Sequence, residues 1–290
     1  MTSTIIGKID IASYNIESEI KHLNGIEKIP EAYDEFGQGH WKNISLYNAS
    51  GDCGDSTYRN TSECRPTSHL TTCVEINRLI VENFKFDDLK MVRARSLVDG
   101  MVIPHRDFVE FDGQHQYLRL FVPLEDNSEA FHSDETGVFQ MKSGEVWFLD
   151  AAVNHAAINV GLKSRMFLCL DFLLGPEDEQ RSVLLQSSKL LPLEQRIDIT
   201  RAAIAESRIE GIIDAVAVII SRHTMKDIIF ALSKYHFKYD IPVLACYDWI
   251  RDAALRAGDQ EVAARMQALK HYLVEHRSIN ERFRINDWRN

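Results

Sequence analysis

The sequence predicts a mainly β domain of the sandwich, barrel or jelly-roll class, followed by a helical C-terminal domain. Three observations carry this. Twelve of the 14 glycines stand at or before Gly175. Ahead of that point apolar residues recur with the period-two repeat of strands, and after it with the 3.6-residue period of helices. Gly175-Pro176-Glu177-Asp178-Glu179 then joins a chain breaker to an acidic run, marking a boundary between domains 1–175 and 176–290.

Taken in order, Leu89 to Arg95 and Met101 to Pro104 read as two short strands. Gln116 to Leu124 sets Tyr117, Arg119 and Phe121 on one face and Leu118, Leu120 and Val122 on the other, the alternation of a strand with two distinct sides. Val138 to Met141 and Glu145 to Leu149 add two more strands, and Arg165 to Phe172 alternates like the third. Beyond Gly175, Ile209, Ile212, Val216 and Ile220 share one helical face, as do Val262, Met266, Leu269 and Leu273. Thr224 with Asp227 has the form of a capping box, and Gly258-Asp259 suits a helix stop followed by a new N-cap.

The 290 residues carry a net charge of −10, with 45% hydrophobic and 26% charged residues, as in a soluble globular protein. A pI near 5.6 argues against duplex nucleic acid or an anionic membrane as the main partner. The five cysteines contain no C-x-x-C pair and fit neither a disulfide framework nor a zinc ribbon; Cys169 reads as a small core residue. The N-terminus lacks the pattern of a secretory signal, and the densest apolar run, Ala215 to Ile220, is too short to span a membrane, so a cytoplasmic location is expected. Gly-x-Gly-x-x-Gly, Walker and Gly-x-Ser-x-Gly patterns are absent, which removes the main signals for dinucleotide, P-loop and α/β-hydrolase chemistry.

The informative stretch is Pro104-His105-Arg106-Asp107. On an extended segment, residues two apart project from the same side, so His105 and Asp107 can reach one cation. His155 follows the strand-like Trp147-Phe148-Leu149, and Arg165 comes ten residues later at the head of the last strand. Each of these residues has an ordinary structural explanation by itself. Together they supply two imidazoles and one carboxylate on one side of a divalent metal, leaving the other side open, as in non-haem Fe(II) oxygenases. Arg165 then has a purpose: its planar fork suits the distal carboxylate of 2-oxoglutarate.

With these residues in place the sequence resembles the bacterial Fe(II)/2-oxoglutarate-dependent hydroxylases of free proline, within the aspartyl/asparaginyl β-hydroxylase-like jelly-roll proteins. The likeness runs nearly end to end, through Ile6 to Asp10, Tyr33 to Phe36, Trp41 to Asn43, Tyr47 to Gly51, Ile103 to Glu110, Gly144 to Ala151 and Leu232 to Asp240. Tyr33 to Phe36 and Tyr47 to Gly51 look closer to the proline 3-hydroxylases than to the cis-4-hydroxylases. The resemblance implies a double-stranded β-helix (jelly roll, cupin-like) core, with iron on His105, Asp107 and His155 and 2-oxoglutarate on Arg165. It also implies hydroxylation by O₂ coupled to decarboxylation of 2-oxoglutarate to succinate.

A free imino acid needs cations for its carboxylate and an acceptor for its ammonium. Arg119, an arginine amid apolar strand positions, is placed with Arg165 among the cosubstrate contacts. Arg93 and Arg95, alternating on a predicted strand, and His132, which matches a histidine of the family, are expected near the substrate carboxylate. Asp34 and Tyr33 are assigned to the ammonium end. Relatives often carry His two positions after the strand arginine where this chain has Phe121. The reading expected from these residues is hydroxylation of free L-proline at C3. L-pipecolate and proline C4 stay open, because one methylene changes binding by only about 1–3 kcal/mol. From other classes, a non-redox cupin-like metalloprotein and a small-molecule-binding module also stay open. The oligomeric state is open too, with a homodimer among the options.

Overall fold

The computed structural model describes residues 2–30, 34–107, 116–185, 190–192, 195–278 and 281–288 in full, and residues 32–33 by their backbone. Ten strands among them form one curled antiparallel sheet: β1 (Thr4–Lys8), β2 (Gly37–Asn48), β3 (Arg65–Pro66), β4 (Leu89–His105), β5 (Gln116–Pro123), β6 (Ala130–Asp134), β7 (Gly137–Phe139), β8 (Glu145–Phe148), β9 (His155–Asn159) and β10 (Met166–Leu174). The order is β1-β8-β5-β10-β4-β9-β6-β7, with β2 on the free edge of β4. This is a jelly-roll-like half-barrel. Helices precede and follow the main strands: α1 (Glu17–Gly25), α2 (Val74–Asn83), then α3 (Glu206–Ile219), α4 (Met225–Ser233), α5 (Tyr235–Lys238), α6 (Ala245–Arg256) and α7 (Gln260–Lys270).

Strand β4 is the spine. Its first half pairs with β10 and its last third with β9, so one strand passes from one layer of the roll into the other. The sequence predicts two strands here, Leu89 to Arg95 and Met101 to Pro104. The structure corrects this to one continuous 17-residue strand with an irregularity at Asp99-Gly100. Asp99 adopts a positive φ of 42°, opposite Gly39 at φ 80°. A Cβ on Gly39 would lie 2.1 Å from the Asp99 carbonyl oxygen, and one on Gly100 would lie 1.9 Å from that of Gln38. Glycine on both strands therefore lets β2 and β4 cross closely while β4 bends, instead of ending it.

The central strands have two unlike faces. Leu118, Leu120, Val122, Leu168, Leu170 and Phe172 pack outward against Leu23 of α1 and Ile76, Leu79 and Ile80 of α2. Neither helix was anticipated from sequence. Glu19 joins them, accepting from the backbone N–H groups of Glu75 and Ile76 at 2.8 Å each and so satisfying the open N-terminus of α2. The inner face carries Phe121, Phe139, Trp147, Phe167 and Cys169, together with the charged groups described below.

The C-terminal helices share a core in which Val262, Met266, Leu269 and Leu273 are buried, and that core takes in Met101, Ile103 and Ile158 from β4 and β9. Asp259 caps α7, its carboxylate accepting from Val262 N–H at 3.0 Å, with Gly258 at φ 74°. The expected capping box at Thr224 does not form. Its hydroxyl instead donates to the Ile219 carbonyl at 2.7 Å, closing the preceding turn. Among the described residues no helix is long and apolar enough to cross a membrane.

Candidate active site

His105 ends β4 and His155 begins β9, and the two are register partners across the antiparallel pair, with ring centroids 4.3 Å apart. Asp107 follows where the chain leaves the strand, and its N–H donates to the Ala151 carbonyl at 2.9 Å. The possible ligand atoms of the three side chains lie within 4.8 Å of one another. Each imidazole has its Nδ1 against a backbone carbonyl, Ile103 for His105 and Val153 for His155, both at 2.9 Å. With the proton placed on Nδ1, those bonds leave the Nε2 lone pair of each ring for a metal.

The protonation states suit that use. Burial pushes His105 down to about 3, helped by the neighbouring His155, and burial lowers His155 as well. Both rings are therefore neutral at pH 7. Burial alone would raise the Asp107 carboxyl, but the Arg119 guanidinium and then the two imidazoles hold it well below the usual carboxylate range. Two neutral nitrogens and one anion are the donor set of an open-faced iron site.

Arg165 stands immediately before β10 and is 2% exposed. Its guanidinium lies 4.5 Å from the Phe167 ring, and Nη1 lies 3.1 Å from Nδ1 of His132. Burial, then the Arg165 charge, keeps His132 neutral, so it accepts from the arginine. Nε and Nη2 of Arg165 are buried with no hydrogen-bond partner among the described residues, and desolvation lowers its pKa to about 9. An interior guanidinium with two unmatched donors fits a carboxylate brought by a ligand, because such donors are expensive to leave unpaired. The residues present thus fit iron together with a 2-oxo dicarboxylate.

The remaining expected residues are distributed unevenly. Arg93 is paired with Asp171. Arg95 donates from Nε to Asn43 at 2.9 Å and lies 5.5 Å from the Trp41 ring. Arg119 lies between Asp107 and Asp171. His132 is at the Arg165 end of the interior. Asp34, in the 3₁₀ turn Ala32–Phe36, pairs with Lys28 at 2.7 Å, and the Tyr33 side chain lies outside the described residues.

Two charged residues enter the site that sequence reading did not single out. Asp171 is fully buried and accepts from Arg93, from Arg119 Nε at 2.8 Å and from the Tyr117 hydroxyl at 2.6 Å. Its signal was an acid inside an apolar run, an even number of positions from Arg165 and hence on the same face. Arg277, 7% exposed, adds its charge to the field on His105 and Asp107. It follows a segment bonded to the loop that carries Asp107, where Arg106 N–H donates to Leu273 O at 3.0 Å, and Tyr247 of α6 donates from its hydroxyl to Pro104 O.

Comparison with known proteins follows the same lines. Residues 12–174 match the family model for aspartyl/asparaginyl β-hydroxylase, and residues 180–281 match that for the L-proline 3-hydroxylase C-terminal region. L-proline cis-3-hydroxylase 2 from a Streptomyces species is 37% identical, with 99% of this chain and 100% of that protein aligned. L-proline cis-3-hydroxylase 1, also from Streptomyces, is 35% identical over the same shares. L-proline cis-4-hydroxylase of Rhizobium meliloti strain 1021 is 26% identical, over 97% of this chain and 99% of its own length. The chain belongs to the aspartyl/asparaginyl β-hydroxylase family and, within it, groups with the bacterial Fe(II)/2-oxoglutarate-dependent proline hydroxylases.

Proposed function

We propose that this protein is a non-haem Fe(II)- and 2-oxoglutarate-dependent dioxygenase that hydroxylates free L-proline at C3, giving the cis product. The single observation that carries the reaction class is the convergence of His105, Asp107 and His155 in one interior with the unmatched buried fork of Arg165. The choice of C3 rests on relatives: two proteins named cis-3-hydroxylases are 37% and 35% identical, against 26% for the cis-4-hydroxylase.

When bound, iron and 2-oxoglutarate supply, with O₂, the oxidising power that turns a ring C–H into C–OH as 2-oxoglutarate becomes succinate and CO₂. The chain does the rest. His105, Asp107 and His155 would hold the ion. Arg165, braced by His132, would take the distal carboxylate in paired charge-assisted bonds. With Arg93 held by Asp171, Arg95 is our choice for the substrate carboxylate, and the turn containing Tyr33 and Asp34 for the ammonium. The aromatic wall of Phe121, Phe139 and Phe167 excludes water from the interior. We read residues 1–175 as the oxygenase domain and 176–290 as its helical companion, a division supported by family models that meet between residues 174 and 180.

The test is anaerobic reconstitution with Fe(II) and 2-oxoglutarate, then O₂ and a panel including L-proline and L-pipecolate. Succinate formed one-for-one with cis-3-hydroxyproline, identified by NMR, is expected. Hydroxylation only at C4, or only of pipecolate, would reassign the substrate position, and absence of succinate would reject the reaction class. Replacing His105 or Asp107 with Ala should abolish substrate-dependent succinate formation; retained turnover would remove the triad.

A further inference from the structure

Asp171 has no part in the reaction as described, yet it is a fully buried carboxylate at the centre of the interior. We propose that Asp171, acting through Arg119, is a positioning residue that fixes which oxygen of Asp107 faces the metal. The inference rests on reading the triad as a metal centre.

The register places the parts. Asp171 on β10 is opposite Arg119 on β5 and Met91 on β4, and Cys169 is opposite Arg93. Arg93 on β4 and Arg119 on β5 thus flank β10 from its two sides in a dry interior, where they repel unless an anion stands between them. Asp171 is that anion, with one oxygen toward Arg93 and the other toward Arg119 and Tyr117. Arg119 is consequently held at both donors of one edge. Its Nε donates to Asp171 at 2.8 Å, and its Nη2 donates to the Tyr117 hydroxyl. Two bonds along one edge fix the plane of the guanidinium, and its remaining nitrogen, Nη1, donates to Oδ2 of Asp107. That engages one carboxylate oxygen and leaves Oδ1, 3.9 Å from His105 Nε2, turned toward the imidazoles. Three residues on β5 and β10 thereby aim a ligand on the loop after β4, as outer partners aim ligands in metal sites generally.

The experiment uses the full chain with Co(II), whose visible absorption reports coordination as well as affinity. Wild-type protein should show a Co(II) spectrum that His105→Ala removes. Asp171→Asn and Arg119→Lys should each weaken Co(II) binding by about 10- to 100-fold and shift the absorption bands. Tyr117→Phe, which leaves every charge in place, should weaken it about two- to fivefold. Leu170→Ala, on the outer face, should lower the melting temperature with Co(II) affinity and spectrum unchanged, which separates positioning from general destabilisation. Wild-type affinity and spectrum in folded Asp171→Asn overturn the inference. If that variant does not fold, the same result in Arg119→Lys and Tyr117→Phe overturns it. A wild-type protein without a Co(II) site, or one indifferent to His105→Ala, overturns the metal-centre reading and this inference with it.

Discussion

The outer and inner faces of β5, β10 and β4 are made by the same three strands and share almost nothing else. Outward, Leu118, Leu120, Leu168, Leu170 and Phe172 meet the helices in a dry apolar layer. Inward, one residue along in each case, stand Arg119, Asp171 and Arg93, with Arg165 just ahead of β10. Burying a leucine stabilises by about 1.5–3 kcal/mol, whereas burying paired charges at best breaks even. The period of two imposes a division of labour: the outer face supplies the folding energy that lets the inner face keep desolvated charges.

Two substitutions probe that division. Arg165→Ala removes the unmatched fork and should raise the 2-oxoglutarate KM by about 10²–10³-fold, as expected for two lost charge-assisted bonds, with the proline KM moving only a few-fold. Steady-state succinate assays varying each substrate decide it, and equal effects on both constants would reject the assigned role. Leu170→Ala should lower unfolding free energy by about 3 kcal/mol in urea titrations and leave both KM values near wild type. A large KM change there would mean that the two faces are not independent.

The smallest effect concerns a buried acid of a different kind. Asp134 accepts two bonds from Arg196, at 2.6 and 3.1 Å, plus one from Ser3 N–H at 3.2 Å, fastening the N-terminal segment rather than aiming a ligand. Burial would raise its pKa, but Arg196 and Thr136 outweigh burial and hold it down at about 2. Its folded-state pKa lies below the unfolded value, so its contribution is present above about pH 4 and is lost as pH falls toward 2. About 2 kcal/mol of stability should disappear across that window. Melts of wild type and Asp134→Asn at pH 5 and pH 3 check this, and the variant should show the smaller change.

What was legible in the sequence was what local pattern or chemistry encodes. Alternation marked β5 and β10, helical period marked α3 and α7, and the types and spacing of His105, Asp107, His155 and Arg165 marked the centre. What was hidden depends on distant partners. The break expected between Leu89–Arg95 and Met101–Pro104 is absent because Gly39 lets β2 cross β4 closely at Asp99-Gly100. The helices α1 and α2 are short, and their meaning comes from the sheet they cover. Asp171 looks like one polar residue in an apolar run, and only strand register shows that it lies between two arginines. Thr224 offered a capping pattern, but its hydroxyl found a nearer carbonyl.

The placement of His105 opposite His155 also bears on how the chain reaches its native pairing. The two ligands come from strands far apart in sequence, brought together by β4 and β9 meeting in one register. A slip of one residue would send one imidazole to the opposite face of the roll. An ion held by both rings would therefore act as a proofreader of strand alignment, rewarding the correct register alone. Present at a hundredfold over its dissociation constant, it would favour that register by about 2.7 kcal/mol. Metal supply during synthesis would then govern the yield of correctly paired chains as well as their turnover, an effect visible as slower or less complete refolding in the presence of a chelator.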